Sequence, residues 1–276
     1  MIGHRSAVGL SLLIALAFTA FAAQSASAVK GTTAFTCVKG GGLNDFGDAH
    51  CDSAKEKGGF GHTEIAEGVT TELEVTNAKT KNNTTEPTTA IFTLKGLSGN
   101  AVVECATVGG TSSNINVSKG VDGVKANEGK SIGVSFKTCK VQSPLGCDVK
   151  EPIEMTGTST TRVGLGTEKN TMGVEFNPAV DKEGVPLPLF EITFTNKLPE
   201  KCSLGPNNTI PIRGTVLATG SRGSDESASS SGGTLIFTKA MTGETLKWGE
   251  FQAFFEGTIT LSMKAGNPIT FTTTAT

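Results

Sequence analysis

The residues best suited to chemistry gather in one short stretch, FTCVKGGGLNDFGDAHCD, at positions 35–52. It holds Cys37 and Cys51, the carboxylates Asp45, Asp48 and Asp52, the amide of Asn44, and His50. Clustered hard oxygens suit calcium, so Asn44, Asp45, Asp48 and Asp52 are the expected ligands if the chain carries that ion. Their spacing is D-x-x-D-x-x-x-D, whereas an EF-hand alternates its ligands and adds a distal bidentate glutamate. The plainer reading is a turn permitted by glycines, solvated by its aspartates and closed by Cys37–Cys51. His50 and His62, with Asp45 or Asp48, are ligand types that zinc accepts, but the sequence between the two histidines does nothing to fix their geometry.

Other motifs are weaker. GKSIG at 129–133 matches G-x-S-x-G, yet a nucleophile elbow needs a hydrophobic strand before the serine and a helix after it. Here GVKANE precedes and VSFKTC follows. A phosphate loop around the same GKS needs glycine at 124, where Val124 stands. Glycoside hydrolysis needs two carboxylates flanking the scissile bond. Glu104, Glu175 and Glu191 are the strand-borne candidates, and alternation sets each on a wet face. One tryptophan and no tyrosine leave few flat amphipathic rings for a sugar cleft. NNTT (82–85), NVS (116–118) and NNT (207–209) match the glycosylation acceptor pattern. No catalytic set emerges. A secreted hydrolase acting through those glutamates, or a calcium-binding extracellular module, is the alternative to a non-catalytic structural or binding protein.

The segments that must position these residues begin after a leader. His4 and Arg5 precede an apolar run from Ala7 to Ala23, and Ala26-Ser27-Ala28 offers small residues for cleavage before Val29. Residues 1–28 read as a secretory signal peptide, being short for a membrane span. No later stretch is apolar enough to cross a bilayer, so the expected product is secreted or held at the cell surface. Net charge is −2 with no basic cluster, which argues against nucleic acid and anionic membrane as partners. The expected partner is an unidentified extracellular or cell-envelope ligand. All six cysteines, at 37, 51, 105, 139, 147 and 202, follow the leader. An even number in an exported chain predicts three disulfides. The two short spacings point to Cys37–Cys51 and Cys139–Cys147, leaving Cys105–Cys202.

Beyond residue 65, short alternations recur between Gly, Asn, Pro and Ser turns. In PLFEITFTN (188–196), Phe190, Ile192 and Phe194 point one way and Glu191, Thr193 and Thr195 the other. Similar runs occur at 70–76, 88–94, 131–139, 171–176, 209–218, 234–238, 254–263 and 269–274. About a dozen strands are predicted, giving an all-β chain built as an antiparallel β-sandwich. The expected organisation is an N-terminal disulfide-closed segment (29–65) packed on one main domain (66–276). Residues 77–89 form a polar connection, and 220–233 form a solvated Ser/Gly loop.

The AVVECAT strand around Cys105, VSFKTC ending at Cys139, LGCDV at Cys147 and VEFNP at 174–178 come in a characteristic order. They are followed by the Cys202 segment, IPIRGTV (210–216) and FFEGTITL (254–261). This order resembles a group of exported, β-rich, cysteine-containing bacterial proteins with no assigned activity. The resemblance implies secretion and a β fold. Its motifs are structural spacings, so it carries over no functional residue.

Overall fold

The computed structural model describes residues 31–42, 45–49, 51, 55–77, 90–96, 99–120, 123–163, 172–220, 234–239, 245–264, 267 and 269–274. The leader lies outside them, as do all but the first residue of the predicted connection (77–89) and of the predicted Ser/Gly loop (220–233). Sixteen strands are present among the described residues. They begin with β1 (Gly31–Lys39), β2 (Phe60–Glu64), β3 (Thr70–Asn77), β4 (Ala90–Gly96), β5 (Gly99–Val117) and β6 (Ala126–Ser143). Next come β7 (Cys147–Val149), β8 (Ile153–Val163), β9 (Met172–Pro178), β10 (Phe190–Asn196) and β11 (Asn208–Ile212). The last are β12 (Val216–Gly220), β13 (Thr234–Phe237), β14 (Lys247–Trp248), β15 (Phe251–Met263) and β16 (Ile269–Thr274).

The chain is therefore all-β with antiparallel ladders, as the alternation predicts. In β10 the alternation holds residue by residue. Phe190, Ile192 and Phe194 are at most 1 % exposed, while Glu191 between them faces solvent. Phenylalanines from five strands meet in one core, with Phe92 edge-on to Phe136 and Phe190, and Phe255 edge-on to Phe136 and Phe237. Such edge-to-face contacts add to the area each ring buries.

The connectivity differs from two separately bonded layers. Thirteen strands form one sheet, and a small second sheet has the order β16–β1–β2. In the large sheet β8 pairs with β9 as well as with β6. The path β8–β6–β5–β3–β15–β13–β12–β9 therefore returns to its start. The long strands make this closure by changing partner along their length. β5 pairs with β4 through Cys105 and with β3 from Gly109 onward. β8 leaves β10 at Met155 and joins β9 from Gly157. A Cβ on Gly157 would lie 1.9 Å from the Asn177 carbonyl oxygen, so only glycine allows the two strands to approach there. Closure leaves fewer open edges.

Three disulfides form, and their pairing corrects the expected one. Cys37–Cys51 forms as expected, but the others are Cys105–Cys139 and Cys147–Cys202. Cys105 and Cys139 stand directly opposite each other in the β5–β6 ladder, with Cα atoms 3.9 Å apart. Cys147 begins β7, which pairs with the end of β10 at Asn196, and the Asn196 side-chain carbonyl accepts from the Cys202 amide at 2.9 Å. Strand pairing overrides sequence spacing: residues 139 and 147 flank the β6–β7 turn and are drawn to partners on other strands.

The small sheet caps one end of the closed ladder and draws on both ends of the chain, since β16 pairs with β1 along six residue pairs. A buried amide chain fastens it. Ser112 donates to the Asn114 carbonyl oxygen, Asn114 Nδ2 donates to Asn127 Oδ1 at 2.8 Å, and Asn127 Nδ2 donates to Asn116 Oδ1 at 3.0 Å. Asn116 then treats β1 as a neighbouring strand. It accepts from the Ala34 amide at 3.0 Å and donates to the carbonyls of Ala34 and Ile65 at 3.1 and 2.7 Å. Every polar atom of this fully buried side chain is satisfied, as burial requires.

A candidate binding groove on the β8–β10 face

A surface concavity of about 370 Å³ lies on the outer face of β8 and β10. Its lining is Lys150, Pro152, Glu154, Thr156, Leu187, Pro188, Glu191 and Thr193. The ladder explains which side chains meet there. Met155 and Phe190 are cross-strand partners and both point into the core. Glu154 and Glu191 adjoin that pair on their own strands, and both stand outward and line the same groove. Thr193 lies two residues along β10, where its carbonyl accepts from the Lys150 amide at 2.9 Å.

The other end is built by a hairpin over 179–187. The Asp181 carboxylate accepts from the amides of Glu183 and Val185 at 3.0 and 2.8 Å, an Asx-type turn. Leu187 N donates to the Ala179 carbonyl, and Arg213 Nη1 donates to the Pro186 carbonyl at 2.7 Å. The hairpin is thus held in place while Val180, Val185 and Leu187 stay 60, 54 and 40 % exposed.

Like charges that share one groove repel each other. Among the described residues neither Glu154, Glu191 nor Lys150 forms an ion pair or side-chain hydrogen bond. Among the described residues the groove therefore offers two carboxylates without a counter-ion on its floor, an ammonium without an ion-pair partner at one end and an apolar corner at the other.

The residues singled out from the sequence are mostly elsewhere. Glu104 accepts from Gln142 Nε2 at 2.8 Å. Glu175 meets Arg162 as a charge contact, Nε to Oε2 2.7 Å, although the angle is not that of a hydrogen bond. Only Glu191 enters a concave site, and its neighbour Glu154 was missed. The signal was available, because Ile153 and Met155 flank Glu154 in the same alternation.

In the opening loop, the Asp45 and Asp48 carbonyls accept from the Lys55 and Cys51 amides at 2.7 and 3.2 Å, so both residues shape the turn. Asn44, His50 and Asp52 lie outside the described residues. Among the described residues no three His, Cys, Asp or Glu side chains gather as a metal group. His62 sits against Phe46 with ring centres 4.7 Å apart, its Nε2 shut away without a hydrogen-bond partner. Burial lowers its pKa.

Ser131 of GKSIG lies inside β6 opposite Ser113, with no turn to present it as a nucleophile. Asn116 of the NVS pattern is fully buried and closed to a glycan in the folded state. Trp248 donates its indole N–H to the Lys95 carbonyl at 2.7 Å and stacks on Phe251, which makes it a structural residue.

One enclosed void lies beneath the amide chain, with Ser112, Asn114, Asn127, Ser159 and Thr161 on its polar side and Val75, Val174 and Phe271 on its apolar side. At about 10 Å³ it has room for roughly one water. No helix among the described residues is long and apolar enough to cross a membrane. No protein-family model, curated protein or solved structure matches the chain.

Proposed function

We propose that this protein is an exported, non-catalytic binding module that works at or outside the cell surface. In this reading its closed sheet is flattened into a sandwich, and the β8–β10 groove is its binding site. Three disulfides support export, since such bonds persist in oxidising compartments. The groove carries the binding reading. Its volume falls within the range of ligand sites, and its floor is rigid, fixed by two ladders and a held hairpin.

The same geometry disfavours hydrolysis. Glycoside hydrolysis needs one carboxyl as a proton donor and the other ionised, and nothing in the groove sets Glu154 and Glu191 in different surroundings. No histidine, cysteine or serine lines the groove to serve as base or nucleophile.

The test is binding to arrayed extracellular glycans and peptides by the parent and two charge-bearing variants. Thr193→Arg fills the groove, and Glu72→Arg places the same charge on the exposed side of β3. The reading requires bound ligands to be lost with Thr193→Arg and kept with Glu72→Arg. Equal binding by both variants contradicts it, as does glycan cleavage that disappears in Glu191→Gln.

A further inference from the structure

We propose that the groove takes an extended peptide segment with the pattern acidic–x–basic–x–apolar, its basic side chain seated between Glu154 and Glu191. This rests on the groove being the working surface and adds what that surface reads.

The order of groups along the floor carries the inference. At one end Lys150 and Thr193 stand together, joined through the Lys150 amide. In the middle Glu154 and Glu191 face outward from adjacent strands. At the other end Thr156 is flanked by Leu187 and Pro188. Successive outward residues on one strand are two apart, about 7 Å, and an extended peptide repeats its same-side residues at that interval. A peptide lying along β10 thus brings three alternate side chains over three different chemistries. Its central residue meets two carboxylates that have no counter-ion among the described residues. A guanidinium there offsets the repulsion between the two carboxylates and gains charge-assisted hydrogen bonds. One neighbour, two residues away, meets the Lys150 ammonium and is favoured when acidic. The other meets Leu187 and Pro188 and is favoured when apolar. A compact anion gains nothing over the paired carboxylates, and an uncharged chain leaves their repulsion in place.

Capped nonapeptides test this: STESRSLTS and its reversed pattern STLSRSETS, because the floor fits either chain direction, with STESQSLTS and STESESLTS as controls. Titrations followed by amide NMR report both affinity and location. The expected result is that one arginine peptide binds at least tenfold more tightly than the glutamine control. Its shifts should centre on residues 150–156 and 187–193 and weaken as salt is raised. The isosteric, exposed Glu154→Gln/Glu191→Gln double variant should lose that preference with a melting midpoint equal to or above the parent's, and Lys150→Glu should weaken binding several-fold. If the glutamine or glutamate peptide binds the same residues as tightly as the arginine one, the charge assignment is overturned and the groove remains a binding site. If no peptide moves these resonances, the peptide assignment is overturned, and array binding by Thr193→Arg decides the groove on its own.

Discussion

Glu151 shows how much one surface carboxylate can hold. Its two oxygens accept from the amides of Thr138 and Cys139 at 2.9 and 2.5 Å. Thr138 has φ of 54°, a left-handed conformation unfavourable for a threonine, and its amide turns out of the β5–β6 ladder toward Glu151. Hydrogen bonds to a charged group contribute about 1.5–3 kcal/mol, less where water reaches them. Glu151→Ala should therefore lower unfolding free energy by about 1–2 kcal/mol in urea titrations, and Glu151→Gln by less. His62 sets a different dependence. Burial lowers its folded pKa below the unfolded value near 6.5, so the unfolded state takes up the proton first as pH falls. Its contribution is intact above about pH 6.5 and is lost as pH drops from there through the lower folded value. His62→Phe, which keeps an aromatic ring beside Phe46, should flatten that part of the acid limb in urea midpoints measured across it.

At the scale of elements, legibility in the sequence tracked what faces inward. β10, β9, β13 and β15 from Phe254 onward were readable because apolar residues alternate with polar ones. The second half of β5 and most of β8 were not, since their inward residues are Ser112, Asn114 and Asn116, and Ser159 and Thr161, all buried. A polar interior erases the apolar–polar alternation on which strand recognition depends, although the amide chain makes it a good interior. That chain is what fastens the cap. Asn116→Ala removes one donor group and one acceptor that serve the backbone of Ala34 and Ile65, leaving buried groups unpaired at about 1–3 kcal/mol each. Hydrogen exchange should then quicken over 31–37 and 269–271 while 132–136 stays protected. Uniform quickening in both regions would mean that the cap and the closed ladder unfold as one unit. The groove was half legible. Glu191 came from the alternation of β10, but its pairing with Glu154 depends on which strand lies next to β10, and local pattern does not encode that.

For the whole molecule, the disulfides decide how the closed ladder responds to reduction. Their sequence separations are 14, 34 and 55 residues, for which loop-closure entropy gives about 3, 4 and 4 kcal/mol. Cys105→Ala/Cys139→Ala should lose about 2–5 kcal/mol, read as a lowered denaturant midpoint, because it frees the longest ladder in the fold. The same bonds make the account of export and architecture testable at once. Peptide mapping of the protein recovered outside the producing cells, under non-reducing conditions, is the most direct measurement. The account predicts an N-terminus at Val29 and the crosslinks Cys37–Cys51, Cys105–Cys139 and Cys147–Cys202. Free thiols at these six positions, or a Cys139–Cys147 crosslink, would contradict it.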